Sequence, residues 1–280
     1  MKSFEPWGRV LLLACMISIA LNGCDKSESN LNKNAPQSSA QAPAAVDVAQ
    51  VVERYRALDN SRDSMMKIRA RIQGQDGGPP EVQMTVYRKR AADGSKLMLV
   101  EFTSPAQERD RDAIVTTSPQ GEIEGVRYIQ SGDNFVSAKG ALNEDSLFGM
   151  TLQELDDGQP EKYDFKLIGE ETAGSIPAYR IEGKLKPGAE SKFPRLVMLI
   201  SKENNAPLVA EFYDNHNELM RRLTVERAEQ VAGHWTRMRW TVDNPARQKK
   251  IEFETLEARY DQNPSDALFT REHLKKLASK

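Results

Sequence analysis

The 280-residue chain has two cysteines, Cys15 and Cys24, both near its start. Everything after Asp25 is without thiol, which excludes a disulfide framework, a thiolate metal site and a cysteine nucleophile from the body of the protein. Histidine is nearly as scarce. His216, His234 and His273 are the three in the chain, and none meets another at the close spacing a zinc site uses. An excess of one charge is also lacking: 39 Lys and Arg face 41 Asp and Glu, a net charge of −2. A nucleic-acid binder carries a marked basic excess, so no nucleic-acid partner is expected. There is no G-x-S-x-G, P-loop or G-x-G-x-x-G motif, and the chain reads as a non-enzyme with no cofactor and no metal.

Long hydrophobic runs are missing too. The apolar stretch from Val10 to Leu21 falls short of the about 20 residues a membrane-spanning helix needs. With Lys2 and Arg9 before it, this stretch suits the apolar region of a secretory signal. It ends in Leu21-Asn22-Gly23-Cys24, which resembles the lipobox of bacterial lipoproteins. That resemblance implies a signal peptide over residues 1–23 and acylation of Cys24 as the mature N-terminus. A thiol just past the apolar region sits at the membrane interface, where lipid-modifying enzymes reach it. More than one acyl chain, at about 0.8 kcal/mol per buried methylene, makes such an anchor stable. Asp25 resembles an inner-membrane retention signal, which favours the inner membrane over the outer. Residues 24–45 are rich in Ser, Asn, Gln, Pro and Ala, with Leu31 their one bulky apolar residue, and read as a disordered tether.

The body, 46–280, opens with a helix and continues as strands. Val48, Val51, Val52, Tyr55 and Leu58 recur at spacings of three and four behind Asp47, a good N-cap. From Met65 onward the period changes to two. Alternating runs such as Met66–Ile72 and Val82–Val86 are separated by Gly, Pro, Asn and Asp turns, and about eleven strands follow one another without a crossover helix. The expectation is a mainly β (α+β) domain: a curved antiparallel meander, closed by a short helix over Thr270–Leu277. One strand face carries Leu208 and Phe212, Met238 and Trp240, and Phe253, while Arg237, Arg239, Glu252 and Glu254 take the other. With Met84 and Leu99 from the early strands, these residues are the candidate apolar lining. The same pattern serves a filled core or an apolar guest. The charge run Glu108–Asp112 reads as a solvated loop or strand edge.

Three stretches then form a recognisable order: Phe148-Gly149-Met150-Thr151-Leu152-Gln153-Glu154-Leu155, Lys202–Leu208 leading to Glu211-Phe212-Tyr213-Asp214, and Asp266-Ala267-Leu268-Phe269-Thr270 before a final helix. This order resembles the outer membrane lipoprotein-sorting, LolA-like, family over residues 46–277. The resemblance implies an incomplete U-shaped barrel with both helices as a lid over its open side. It also implies an acyl-binding cavity and a role in lipid or lipoprotein sorting. Val48, Val52 and Tyr55 would belong to the lid. The lipid anchor departs from a soluble carrier and is similar to the tethered acceptor, or to accessory lipoproteins serving an envelope transporter. The partners so implied are lipid or lipoprotein acyl chains, an inner-membrane transporter and the membrane itself, on its periplasmic side. The alternative is a regulatory or scaffolding module that binds a protein partner on the same platform.

The anchor generates the first prediction. Cys24→Ser abolishes incorporation of labelled palmitate and releases the protein from the membrane fraction; a serine variant that still incorporates label removes the assignment.

Overall fold

The computed structural model describes residues 46–58, 60–74, 80–137 and 160–279. Cys24, the tether and the Phe148–Leu155 stretch lie outside the described residues. Helix α1 (Val48–Arg56) begins where the sequence places it, with the Asp47 carboxylate accepting from the N–H groups of Ala49 at 3.0 Å and Gln50 at 3.4 Å. Nine residues are too few for a stable isolated helix, so α1 depends on packing. Val51 and Val52 supply it, each 5% exposed.

Among the described residues thirteen strands follow: β1 (Asp63–Gln73), β2 (Glu81–Arg90), β3 (Lys96–Ser104), β4 (Ala113–Thr117), β5 (Ile123–Ile129), β6 (Asn134–Ser137), β7 (Tyr163–Ala173), β8 (Ile176–Leu185), β9 (Arg195–Ser201), β10 (Pro207–Tyr213), β11 (Leu219–Val231), β12 (His234–Asn244) and β13 (Lys249–Tyr260). They form one antiparallel, curved, open sheet in the order β6-β5-β4-β3-β2-β1-β13-β12-β11-β10-β9-β8-β7. The count exceeds the expected eleven partly through β6, a four-residue edge strand too short to show a period. Helix α2 (Arg271–Ala278) starts at Thr270, whose hydroxyl accepts from His273 N–H at 3.3 Å.

Turn chemistry fixes the hairpins. The β11–β12 connection is the two-residue loop Ala232-Gly233, with both φ angles positive at 50° and 86°, the backbone of the type I′ turn whose twist matches the strands it joins.

Two apolar layers cover the inner face. One combines Met84, Val86, Val100, Phe102, Trp240 and Phe253. The other places Val51 and Val52 of α1 on Ile181, Leu196, Met198 and Ile200. Leu223 packs against both, which makes the layer continuous. The C-terminal helix departs from the lid expectation: Leu274 and Leu277 pack on Leu99, Ile114 and Tyr128. In β3 the inner layer takes Met98 and Val100 and α2 takes Leu99 between them, so α2 covers the opposite face of the sheet. Strands covered on both sides lose the alternating pattern and read as continuous apolar runs, as in Leu97-Met98-Leu99-Val100.

The Glu108–Asp112 run is solvated only in part: Asp110 is exposed, but the run does not stand free of the sheet. Residues Ala106–Arg111 form a 3-10 turn packed on β3, and Glu108 and Asp112 are both buried. Glu108 pairs with Arg111 at 3.1 Å, and the Asp112 carboxylate accepts from Phe102 N–H at 2.7 Å. Burial pushes the Asp112 carboxyl up to about 7, against the lowering influence of that N–H and of Arg109 and Arg127.

A raised folded-state pKa means that the folded chain binds more protons than the unfolded one between 3.8 and about 7. The stability it contributes is full below 3.8 and is lost as pH rises through about 7. Asp112→Asn does not titrate and still accepts from Phe102. Thermal unfolding followed by circular dichroism should therefore show the native chain losing ground to Asp112→Asn as pH rises across this range. A pH-independent difference between the two would contradict it.

Candidate functional site

The inner layer is not filled throughout. Between α1 and the sheet lies a hollow of about 120 Å³, floored by Met66, Ile68, Met84, Val86, Val242 and Leu223, with Trp240 and Phe253 as its aromatic wall. Trp240 and Phe253 are register partners on β12 and β13, and their rings stack at 5.0 Å and 8°. Tyr55, from the last turn of α1, and Leu58 beyond it close the hollow from above.

The polarity of the hollow is graded along the strands. In β2, β1 and β13 the apolar rows run Val82–Ala70–Phe253, then Met84–Ile68, then Val86–Met66. The next row on the same face is Arg88–Ser64–Tyr260. The Tyr260 hydroxyl lies 2.7 Å from that of Thr236, and its ring stacks on His234 at 4.6 Å. Arg237 holds its guanidinium 5.6 Å from the Trp240 ring centroid. Arg88, Trp235, Arg237 and Tyr260 all contribute to the lining.

Met84, Trp240 and Phe253 thus line the hollow as the sequence indicated. Phe212 shares the face but packs in the neighbouring layer and pairs with Phe193 at 5.3 Å. Leu99 does not line it, because it lies under α2 on the other face. Leu208 also falls on the other face, against Ala178 and Leu199. The cause is a bulge: Pro207 pairs with Ile200 and Val209 with Leu199, so Leu208 is an extra residue that reverses the alternation. Met238 is displaced in the same way. Arg237 and Trp240 both reach the hollow although three residues apart, beside register shifts between Val225 and Arg227 and between Arg227 and Ala228 in β11. Arg237, expected on the solvated face, takes the place given to Met238. Of the lid residues, Tyr55 lines the hollow while Val52 and Val48 anchor α1 to the β7–β10 half. Arg88, Trp235 and Tyr260 escaped the sequence reading, though Arg88 continues the Val82, Met84, Val86 alternation and was findable by it. Among the described residues, no cluster of three His, Cys, Asp or Glu could hold a metal.

An open curved antiparallel sheet with an amphipathic helix on its inner face is the LolA-like fold, and this chain has that fold. A family model described as "Uncharacterized protein", of the "-like" kind, matches residues 94–276, and the chain belongs to that family. Similar solved structures include a DUF1329 family protein from Desulfovibrio piger (TM-score 0.72, 24% identity, 80% of this chain and 96% of that one). A domain assigned to outer membrane lipoprotein sorting from Vibrio parahaemolyticus matches at TM-score 0.67 and 16% identity, over 81% of this chain and 97% of that one. A LolA superfamily protein from Nitrosomonas europaea matches at 0.60 and 14%, over 82% and 100%. No curated protein matches the sequence.

Trp240 is 6% exposed and holds the wall of the hollow. Trp240→Ala should cost about 3–5 kcal/mol of stability, as large-to-small changes at buried aromatics do, read as a lowered urea midpoint. A loss below about 1 kcal/mol would mean that the wall is not a packed element.

Proposed function

We propose that this chain is a non-enzymatic envelope lipoprotein, acylated at Cys24 and facing the periplasm, that binds a lipid or lipoprotein acyl chain between its curved sheet and α1. Its role in this reading is lipid or lipoprotein sorting or transfer beside an envelope transporter. The observation that carries the proposal is the apolar hollow beside Tyr55 and Leu58 at the end of α1. At about 120 Å³ the hollow approaches the roughly 150 Å³ of an apolar cavity that admits benzene, which is room for part of a hydrocarbon tail. A full acyl chain therefore requires α1 to lift and uncover the layer beneath it. Each methylene then buried contributes about 0.8 kcal/mol, against the cost of association and of exposing Val51 and Val52. Met66 and Met84 suit such a guest, since thioether side chains adapt to irregular apolar shapes.

The two tryptophans beyond Trp7 both line the hollow, which gives a direct test. A neutral monoacylglycerol carrying a brominated chain should quench tryptophan emission of the purified protein, and Trp240→Phe should remove most of that quenching. Saturable binding with no quenching would place the lipid elsewhere, and absence of binding would end the acyl-chain reading.

A further inference from the structure

The hollow has a direction along its strands, and a guest should follow it. We propose that it takes an amphiphile with a single polar terminus, lying with that terminus beside Trp235 and Tyr260 and with its chain end beside Met84, Val242 and Phe253. This rests on the acyl-binding reading and names both the orientation of the guest and its class, chains that end in a plain methyl group.

Four adjacent strands agree on this direction. To the lining β12 contributes Trp235 and Arg237, then Trp240 and Val242, and β2 contributes Met84, then Val86, then Arg88. From β13 come Phe253 and, seven residues on, Tyr260; from β1 come Met66 and then Ile68. Neighbouring strands run in opposite directions, so the agreement belongs to the fold and not to any one stretch of sequence. Register places these side chains on common levels: Arg88, Ser64 and Tyr260 lie opposite one another, Met84 lies opposite Ile68, and Trp240 lies opposite Phe253. At the polar level the hydroxyls of Tyr260 and Thr236 meet at 2.7 Å, and Trp235 brings an indole, a side chain suited to the boundary between apolar and wet surroundings. Arg88, Arg237 and Tyr260 each have partners within the protein; even so, methylenes laid over such groups take water from them and return no hydrogen bond. A polar terminus pushed to the other end meets Ile68, Val242 and Phe253, with the weak thioether acceptor of Met84 beside them. A guest with its polar terminus at Tyr260 avoids both costs, and a chain polar at both ends cannot.

Trp235 and Trp240 stand about 15 Å apart at the usual strand rise and so report on the two ends separately. The test uses the purified full chain in a Trp7→Phe background, in which Trp240→Phe leaves Trp235 and Trp235→Phe leaves Trp240. Two neutral monoacylglycerols of equal chain length carry bromine either next to the ester or next to the chain end. The expected result is that the chain-end label quenches Trp240 more strongly than Trp235 and that the ester-side label reverses the order. In the protein without substitutions, α-hydroxyhexadecanoate should displace the fluorophore N-phenyl-1-naphthylamine about tenfold better than its isomer ω-hydroxyhexadecanoate, the scale of burying one hydroxyl without a partner. That comparison keeps the proposal testable even where a tryptophan variant fails to fold. The same quenching order from both labels, the opposite order, or equal competition by the two isomers overturns the orientation and leaves the acyl-binding reading standing. Failure of all four amphiphiles to displace the fluorophore overturns both.

Discussion

The pairing of β1 with β13 is the constraint on which the rest depends. These strands stand about 185 residues apart in the chain, as the Arg69–Glu254 bond across them shows. Their ladder runs from Ser64–Tyr260 to Gln73–Lys250 with one irregularity at Lys67/Ile68. It is fastened at one end, where the Asp63 carboxylate takes the N–H groups of Gln262 and Asn263, and Asp261 takes that of Arg62. Each side of this joint is a local meander; together they supply the walls of the hollow, Met84 and Ile68 from one and Trp240 and Phe253 from the other. So non-local a contact carries a large loop-closure cost before it is rewarded, which gives the fastening its importance.

Much of this architecture was legible in the sequence because side-chain period is a strong signal. The change from the α1 stripe to alternation after Met65, the Asp47 and Thr270 caps and the turn residues all had a local cause, and the structure follows them. What escaped was set by interruptions of the period. One extra residue at Leu208 sends it to the outer face, and shifts along β11 exchange Arg237 for Met238 at the hollow. Nothing in the identity of Leu208 or Met238 marks such a break. Leu99 escaped for a different reason: apolar runs covered on both faces do not say which side each residue serves. The burial of Glu108 and Asp112 was hidden because a charge-rich string reads as exposed unless its partners, here distant backbone and Arg111, are known.

Helix α1 and the sheet differ in how they are held together. Helix α1 is nine residues long and buries Val51 and Val52 on the β7–β10 half. The sheet beneath it is continuous over thirteen strands among the described residues.

Strand β3 has a double allegiance, with Met98 and Val100 turned to one layer and Leu99 to the other. Neighbouring residues on a single strand therefore answer to separate packing problems. The inner layer can be repacked, through exchanges at Met98 or Val100, while the seat of α2 stays intact. Such a partition gives a lineage room to vary its inner layer without re-solving how its C-terminal segment docks.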